Sequence, residues 1–194
     1  ENIPAKIIFG ENPLWAVYMP QLKMVSSKDF TDTILQNYPE AKDFNLIAAG
    51  HGYSLSPDIM PIKVDKEYLK TAILPFEMAE KADIPVWITE ISDVNPLDIS
   101  IHDGLKWAVT FHNYLTKANV NAIIWWGGAM PTSNNESLII LDKNRKDFLL
   151  SKRYDIFGNF SRYIPEESTR IQVTQSSGIP LLISAYKKDD EYTL

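Results

Sequence analysis

Four apolar runs rich in β-branched and aromatic residues alternate with segments of helical periodicity along most of the chain. The runs cover positions 5–10, 44–50, 84–93 and 121–126. Each run has the length of a strand and is bounded by Gly, Pro or polar residues, which is typical of buried strands. The helical segments cover positions 29–37, 65–82, 100–117 and 153–163. Because strands and helices alternate, the pattern predicts right-handed βαβ crossovers and a parallel sheet.

The segment 100–117 carries the strongest helical signal, and its apolar residues recur at the spacing of one helix face. They are Leu105, Ala108, Val109, His112 and Leu115. His112 on such a stripe is interpreted as a structural histidine. Pro75 predicts a kink or a restart within 65–82. The tail changes character from Thr169 onward, where alternating apolar residues around a turn at 176–178 predict a β-hairpin.

Four βα units amount to half of a (β/α)8 barrel, whose usual size is about 250 residues. The predicted fold is therefore of the α/β class, the C-terminal half of a TIM barrel followed by the first strands of a β-sandwich side domain. We expect the half-barrel to cover residues 1–166 and the truncated side domain to cover 167–194. Glu1 is expected to be an internal residue of a longer chain. The alternative is a complete small α/β sandwich of the doubly wound type.

The composition narrows the function without defining it. The chain has 194 residues, of which 45% are hydrophobic and 23% charged, and this is the composition of a globular domain. Its net charge of −6 is spread along the chain, and no basic patch predicts a nucleic acid or an anionic membrane as partner. The absence of cysteine excludes disulfides and a cysteine nucleophile. The 3 histidines have no metal-ligand spacing, so neither a metal nor a cofactor is predicted.

Glu90 is the sharpest candidate for chemistry. It ends an apolar strand in which the period of two places it on the same face as Val86 and Ile88. A carboxylate in such a row is costly unless it is paired or used. At the carboxyl end of a barrel strand, it is suited to be the nucleophile of a retaining glycosidase, about 5 to 5.5 Å from a second carboxyl group.

Further candidates follow the neighbouring strands. His51 and Tyr53 come after the second strand and are close enough in a barrel to hydrogen-bond Glu90, although a plain loop turn explains them equally well. Trp125 and Trp126 end the fourth strand, where an indole face can stack on a sugar ring, and alternation lets one of the two point inward. Two residues after the first strand are further candidates. Trp15 is predicted to line a substrate pocket, and Glu11 either lines the site or caps a turn.

These motifs together resemble glycoside hydrolase family 30. The resemblance rests on His51-Gly52-Tyr53, on the strand 86–90 (VWITE), on 123–126 (IIWW), and most of all on 151–164 (SKRYDIFGNFSRYI), which is similar to the link between the last barrel helix and the side domain. Within the family, the sequence looks most like the xylanase branch, which includes glucuronoxylanases. The resemblance implies a retaining mechanism on β-linked xylose, Glu90 as nucleophile, a polysaccharide or oligosaccharide substrate, and secretion to the extracellular space.

The sequence departs from the family in two places. Residues 127–131 (GGAMP) stand where glucuronoxylanases have an arginine and a tyrosine, which argues against dependence on a glucuronate branch. The family's acid/base glutamate follows an asparagine at a strand end, and no such strand end occurs here. We therefore expect the missing N-terminal half of the barrel to supply the acid/base, and the isolated chain to be inactive. A β-1,6-glucanase or glucosylceramidase-like specificity and a non-catalytic sugar-binding fragment remain as alternatives.

Overall fold

The computed structural model describes residues 5–16, 25–53, 73–144, 146–176, 178 and 181–194. The first part of the helix expected at 65–82, residues 65–72, lies outside these residues. Its described end is a short helix that starts after Pro75. The helices are α1 (Ser27–Asn37), α2 (Glu77–Lys81), α3 (Ile101–Lys117) and α4 (Lys152–Tyr163), and a 3₁₀ helix covers Pro39–Asp43. The long strands are β1 (Ile7–Phe9), β2 (Leu46–His51), β3 (Val86–Ile91) and β4 (Ala122–Trp125).

Strands β1 to β4 form one parallel sheet in the order β1-β2-β3-β4. Each strand therefore lies beside the next one along the chain, and each connection contains at least one helix among its described residues. A doubly wound sheet reverses its strand order at a switch point, whereas a (β/α)8 barrel adds its strands in sequence. The strand order of the described sheet is that of a barrel. It does not fit a small doubly wound sandwich.

The core lies between the sheet and its helices. Val86, Ile88 and Ile91 of β3 are buried in one cluster with Trp107, Phe111 and Tyr114 of α3. Full burial of such side chains stabilises a fold by about 1.5 to 3 kcal/mol each. The aromatic face of α3 thus packs against β3, the strand that carries Glu90.

The apolar stripe identified on α3 is not the face that packs on the sheet. Leu105 and Val109 are 53% and 44% exposed. Together with His112 they line an apolar groove toward Phe160 and Leu182. The helix is apolar on two sides, and the side with the large aromatic rings covers the sheet because those rings bury more area. His112 is a groove residue, and burial lowers the pKa of its imidazole, with the charges of Lys117 and Arg170 adding to the effect.

Two small sheets follow the parallel one. The first contains β5 (Ala129–Met130), β6 (Ile139–Leu141) and β7 (Phe148–Leu150), with β5 parallel to β6 and β6 antiparallel to β7. The second contains β8 (Thr169–Ile171), β9 (Ala185–Lys188) and β10 (Glu191–Thr193), paired antiparallel in the order β10-β9-β8. The tail is thus antiparallel β structure as predicted.

Candidate active site

The carboxyl ends of β1, β2 and β3 bring four polar side chains together. Glu11 follows β1, His51 ends β2, Tyr53 follows it, and Glu90 lies near the end of β3. His51 and Glu90 are register partners across the two parallel strands. Parallel strands deliver their C-terminal side chains to one rim, which explains how residues far apart in sequence meet here.

Glu90 is held through both of its carboxylate oxygens. The Tyr53 hydroxyl donates a short hydrogen bond to Oε1, and His51 Nε2 lies 3.4 Å from Oε2. Burial raises the pKa of the Tyr53 phenol, and its hydrogen bond to Glu90 and the charges of Glu90 and Glu136 raise it further, whereas a hydrogen bond with Ser92 lowers it. The phenol therefore stays protonated and remains a donor to Glu90.

Glu11 belongs to the same cluster, a role that the sequence left undecided. Its Oε2 accepts hydrogen bonds from Thr89 Oγ1 at 2.8 Å and from His51 Nε2 at 2.9 Å. Because His51 uses Nε2 for both carboxylates, the ring carries a proton on that nitrogen. The imidazole therefore bridges Glu11 and Glu90. The signal available in the sequence was a carboxylate directly after a strand end.

A β-bulge in β3 aims Glu90 at this cluster. Gly50 pairs with Ile88 but the next residue of β2, His51, pairs with Glu90, so Thr89 is an extra residue on β3. The alternation predicted from the sequence is therefore wrong after Ile88. Ile91, not Glu90, joins Ile88 in the core, while Thr89 and Glu90 both reach the cluster. Bulges commonly redirect side chains next to active sites.

Gly52 allows this close approach. Its backbone N–H donates to the Glu90 carbonyl at 2.8 Å. A Cβ on Gly52 would lie 2.6 Å from Ile91 Cδ1, well inside van der Waals contact. The glycine between His51 and Tyr53 is thus required by the packing of β2 against β3.

The two tryptophans at the end of β4 have different environments. Trp125 is buried, with its ring edge-on to Trp107 at a centroid distance of 4.6 Å. Trp126 is 48% exposed, and its backbone N–H donates to the carbonyl of Ile91 at 3.0 Å. Trp125 is therefore a core residue, and of the pair it is Trp126 that presents an indole face beside the end of β3.

Trp15 is not part of this rim, which corrects the expectation that it lines a substrate pocket. Its side chain is fully buried, packs against Phe76 and Tyr114, and donates its indole N–H to the carbonyl of Leu74 at 3.0 Å. Trp15 therefore contributes to the core, because its indole ring reaches the helix layer.

The structure also bears on a metal site and on a membrane-spanning helix. Among the described residues, no group of three His, Asp or Glu side chains is placed to hold a metal ion. Within the same part of the chain, no helix combines the length and the apolar character that a membrane crossing needs.

No family model matches the chain, but its fold is similar to those of solved structures. A conserved exported protein from Bacteroides fragilis aligns with a TM-score of 0.56 and 21% sequence identity over 76% of this chain and 35% of that protein. The glycoside hydrolase family 30 subfamily 8 xylanase Xyn30A from Clostridium acetobutylicum aligns with a TM-score of 0.52 and 18% identity over 85% of this chain and 43% of that one.

These identities show a shared fold. The chain spans less than half the length of either structure. Together with the winding of β1 to β4, the alignment confirms the predicted fold class, a partial (β/α)8 barrel followed by antiparallel strands.

Proposed function

We propose that this chain is the nucleophile-bearing half of a retaining glycoside hydrolase that cleaves β-linked polysaccharide of the xylan type. The proposal rests chiefly on the carboxylate of Glu90, which Tyr53 and His51 orient from opposite oxygens at the carboxyl ends of parallel strands. The similarity in fold to a family 30 xylanase supports it. The same family comparison and the exported relative are the reasons to propose secretion.

The reaction would proceed by two displacements. Glu90 attacks the anomeric carbon, the glycosidic C–O bond breaks, and the leaving oxygen takes a proton from a second carboxyl group. Water then attacks the glycosyl ester, gives its proton to that second group, and releases Glu90. His51 and Trp126 would contact the sugar, and Tyr53 would keep Glu90 in line with the anomeric carbon through its hydrogen bond.

The acid/base residue is proposed to lie in an N-terminal half-barrel. Glu11 is not assigned this role, because its Oε2 already accepts hydrogen bonds from Thr89 and His51. Among the described residues, β1 and β4 each have one edge without a partner strand. Ile7 and Ile124 are exposed there, and bare apolar edges favour pairing with further strands. Residues 1–166 are thus proposed as the second half-barrel and 167–194 as the start of a side domain.

A non-catalytic sugar-binding fragment is the second candidate. The observation that favours it is that Glu11, the carboxylate that shares His51 with Glu90, already accepts hydrogen bonds from Thr89 and His51. Within the enzyme class, a β-1,6-glucan or a glucosylceramide-like substrate is the runner-up to xylan. Product analysis on xylan, glucuronoxylan and β-1,6-glucan would separate these specificities.

The test uses Glu90→Gln in the full-length protein that contains this chain. The amide keeps the shape of the side chain but cannot form the glycosyl ester, so we expect no measurable turnover of xylan while calorimetry still detects xylo-oligosaccharide binding. Glu40→Gln, an exposed site in the 3₁₀ helix, is the matched control and should keep full activity. Normal turnover by Glu90→Gln would refute the assignment.

A further inference from the structure

Glu136 connects the two tryptophans at the end of β4. Its backbone carbonyl accepts a hydrogen bond from the Trp125 indole N–H at 2.9 Å. Its side-chain Oε1 accepts another from the Trp126 indole N–H at 3.2 Å. Asn134 adds support, since its Oδ1 accepts from the Glu136 backbone N–H at 3.1 Å. A single residue thus fixes the buried indole and the exposed one relative to each other.

A buried arginine holds the loop that carries Glu136 in place through hydrogen bonds. Arg153, in the first turn of α4, is fully buried and pairs with Asp103 at 2.6 Å. The same guanidinium donates to Asn135 Oδ1 at 3.0 Å and to the carbonyl of Ser137 at 3.1 Å. Both neighbours of Glu136 are therefore held in place, and the carboxylate is presented by a rigid loop.

This loop lies beside the proposed nucleophile. The backbone N–H of Trp126 donates to the carbonyl of Ile91, the residue after Glu90. The charge of Glu136 is also one of the causes that raise the pKa of the Tyr53 phenol, after burial and the contacts with Glu90. The charged groups that act on Tyr53 are thus both carboxylates, Glu90 and Glu136. A ligand over Trp126 would meet negative charge on two sides.

We propose that Trp126 and Glu136 form a sugar subsite next to Glu90 that accepts an uncharged, hydroxyl-rich residue and disfavours a carboxylate-bearing one. The indole face stacks on the C–H face of a pyranose. The Glu136 carboxylate can accept hydrogen bonds from sugar hydroxyls. A uronate carboxylate in the same subsite would be repelled by Glu136, because like charges closer than the screening length, about 8 Å at physiological salt, are little screened. This inference rests on the proposed function and adds the class of sugar that the site selects.

The experiment compares two probes, xylotetraose and the same oligosaccharide carrying a glucuronic acid branch. Their affinities are measured by calorimetry with the Glu90→Gln protein, in which neither probe is consumed, and with Glu136→Gln added. Glutamine keeps an oxygen for the Trp126 N–H and removes the charge. We expect the preference for the neutral probe to fall roughly threefold to tenfold, because Glu136→Gln removes one of the two like charges that repel each other.

Two controls make the result specific. Glu40→Gln removes one surface charge that is far from Glu136 in the sequence, and it should leave the preference for the neutral probe unchanged. Trp126→Ala should weaken both probes alike, because it removes the stacking surface and not the charge. At 1 M salt, where the screening length is about 3 Å, the preference of the parent protein should shrink toward that of the Glu136→Gln protein.

The outcomes separate this inference from the function on which it rests. If both probes bind and adding Glu136→Gln leaves the preference unchanged, the selectivity is not due to Glu136. The inference is then wrong, while the glycosidase proposal stands. If the parent protein binds the branched probe better than the neutral one, the inference is likewise overturned. If neither probe binds, both proposals fail.

Discussion

Tyr53 and His51 give Glu90 its geometry, and each acts on a different oxygen. The Tyr53 hydroxyl contacts Oε1 and the His51 Nε2 contacts Oε2, so these two side chains fix the plane of the carboxylate. Glu11 in turn orients the imidazole through its own short contact of 2.9 Å. A nucleophile held by two donors does not need to reorient on the path to its ester, and this lowers the cost of reaching the transition state.

Tyr53→Phe tests this arrangement. The ring is retained, but Oε1 of Glu90 loses its donor, and a hydrogen bond to a charged group contributes about 1.5 to 3 kcal/mol. We expect kcat to fall roughly 10-fold to 150-fold, with a much smaller change in KM. Steady-state kinetics on xylo-oligosaccharides provide the measurement. Tyr38→Phe, an exposed tyrosine after α1, is the matched control, and equal kinetics for the two variants would contradict the role of Tyr53.

The residues of the rim could be predicted because each one follows an apolar strand run, and strand ends are visible in sequence. The bulge at Thr89 could not, because it depends on how β3 pairs with its neighbours. Trp15 was misplaced for a similar reason, since an aromatic residue after a strand can turn toward either the rim or the helix layer. Glu136 could not be predicted as a site residue, because the residues before it, 131–135 (PTSNN), have neither strand nor helix periodicity.

Among the secondary-structure elements, α3 and α4 do the most to position the site from a distance. Asp103 of α3 and Arg153 of α4 form a buried pair under the loop of Glu136. Removing one partner of such a pair costs about 3 to 5 kcal/mol, because the other charge is left buried. The sequence pattern of α4 does not indicate that Arg153 pairs with Asp103, because the two residues are separated by 50 positions. The stripe on α3 predicts the helix but not its contacts, since both sides of that helix are apolar and Leu105 and Val109 line the groove.

His112 of α3 predicts a dependence of stability on pH. Its pKa in the folded state is lowered by burial in the groove and by Lys117 and Arg170, while the unfolded chain keeps a value of about 6.5. As the pH falls through about 6.5, the unfolded state takes up the proton first, so the free energy of unfolding decreases. The decrease stops once the pH drops below the lowered pKa of the folded state.

His112→Gln should therefore lose less stability than the parent chain when the pH is lowered from about 7 to about 5. Urea unfolding at the two pH values gives the comparison. The control is His102→Gln, an exposed histidine on the same helix outside the apolar groove, which should keep the pH response of the parent. A response in His112→Gln identical to that of the parent would show that the groove does not perturb this imidazole.

For the molecule as a whole, the sequential parallel order of β1 to β4 is the decisive feature. It was predictable because βα units repeat along the chain, and consecutive strands of such units usually lie side by side. The short strands β5 to β7 were not predictable, since runs of 2 and 3 residues carry no periodicity. They matter all the same, because β5 and β6 flank the loop that presents Glu136.

Glu90 is proposed to be a covalent nucleophile in a barrel completed by an N-terminal half. The most direct measurement is mass spectrometry of peptides after incubation with a 2-deoxy-2-fluoroxyloside bearing an activated leaving group, which allows the glycosyl ester to form but slows its hydrolysis. In the full-length protein we predict that one sugar is attached to the peptide containing Glu90, and that the isolated chain stays unlabelled. A label on another carboxylate, or hydrolysis with inverted configuration and no label, would contradict the account.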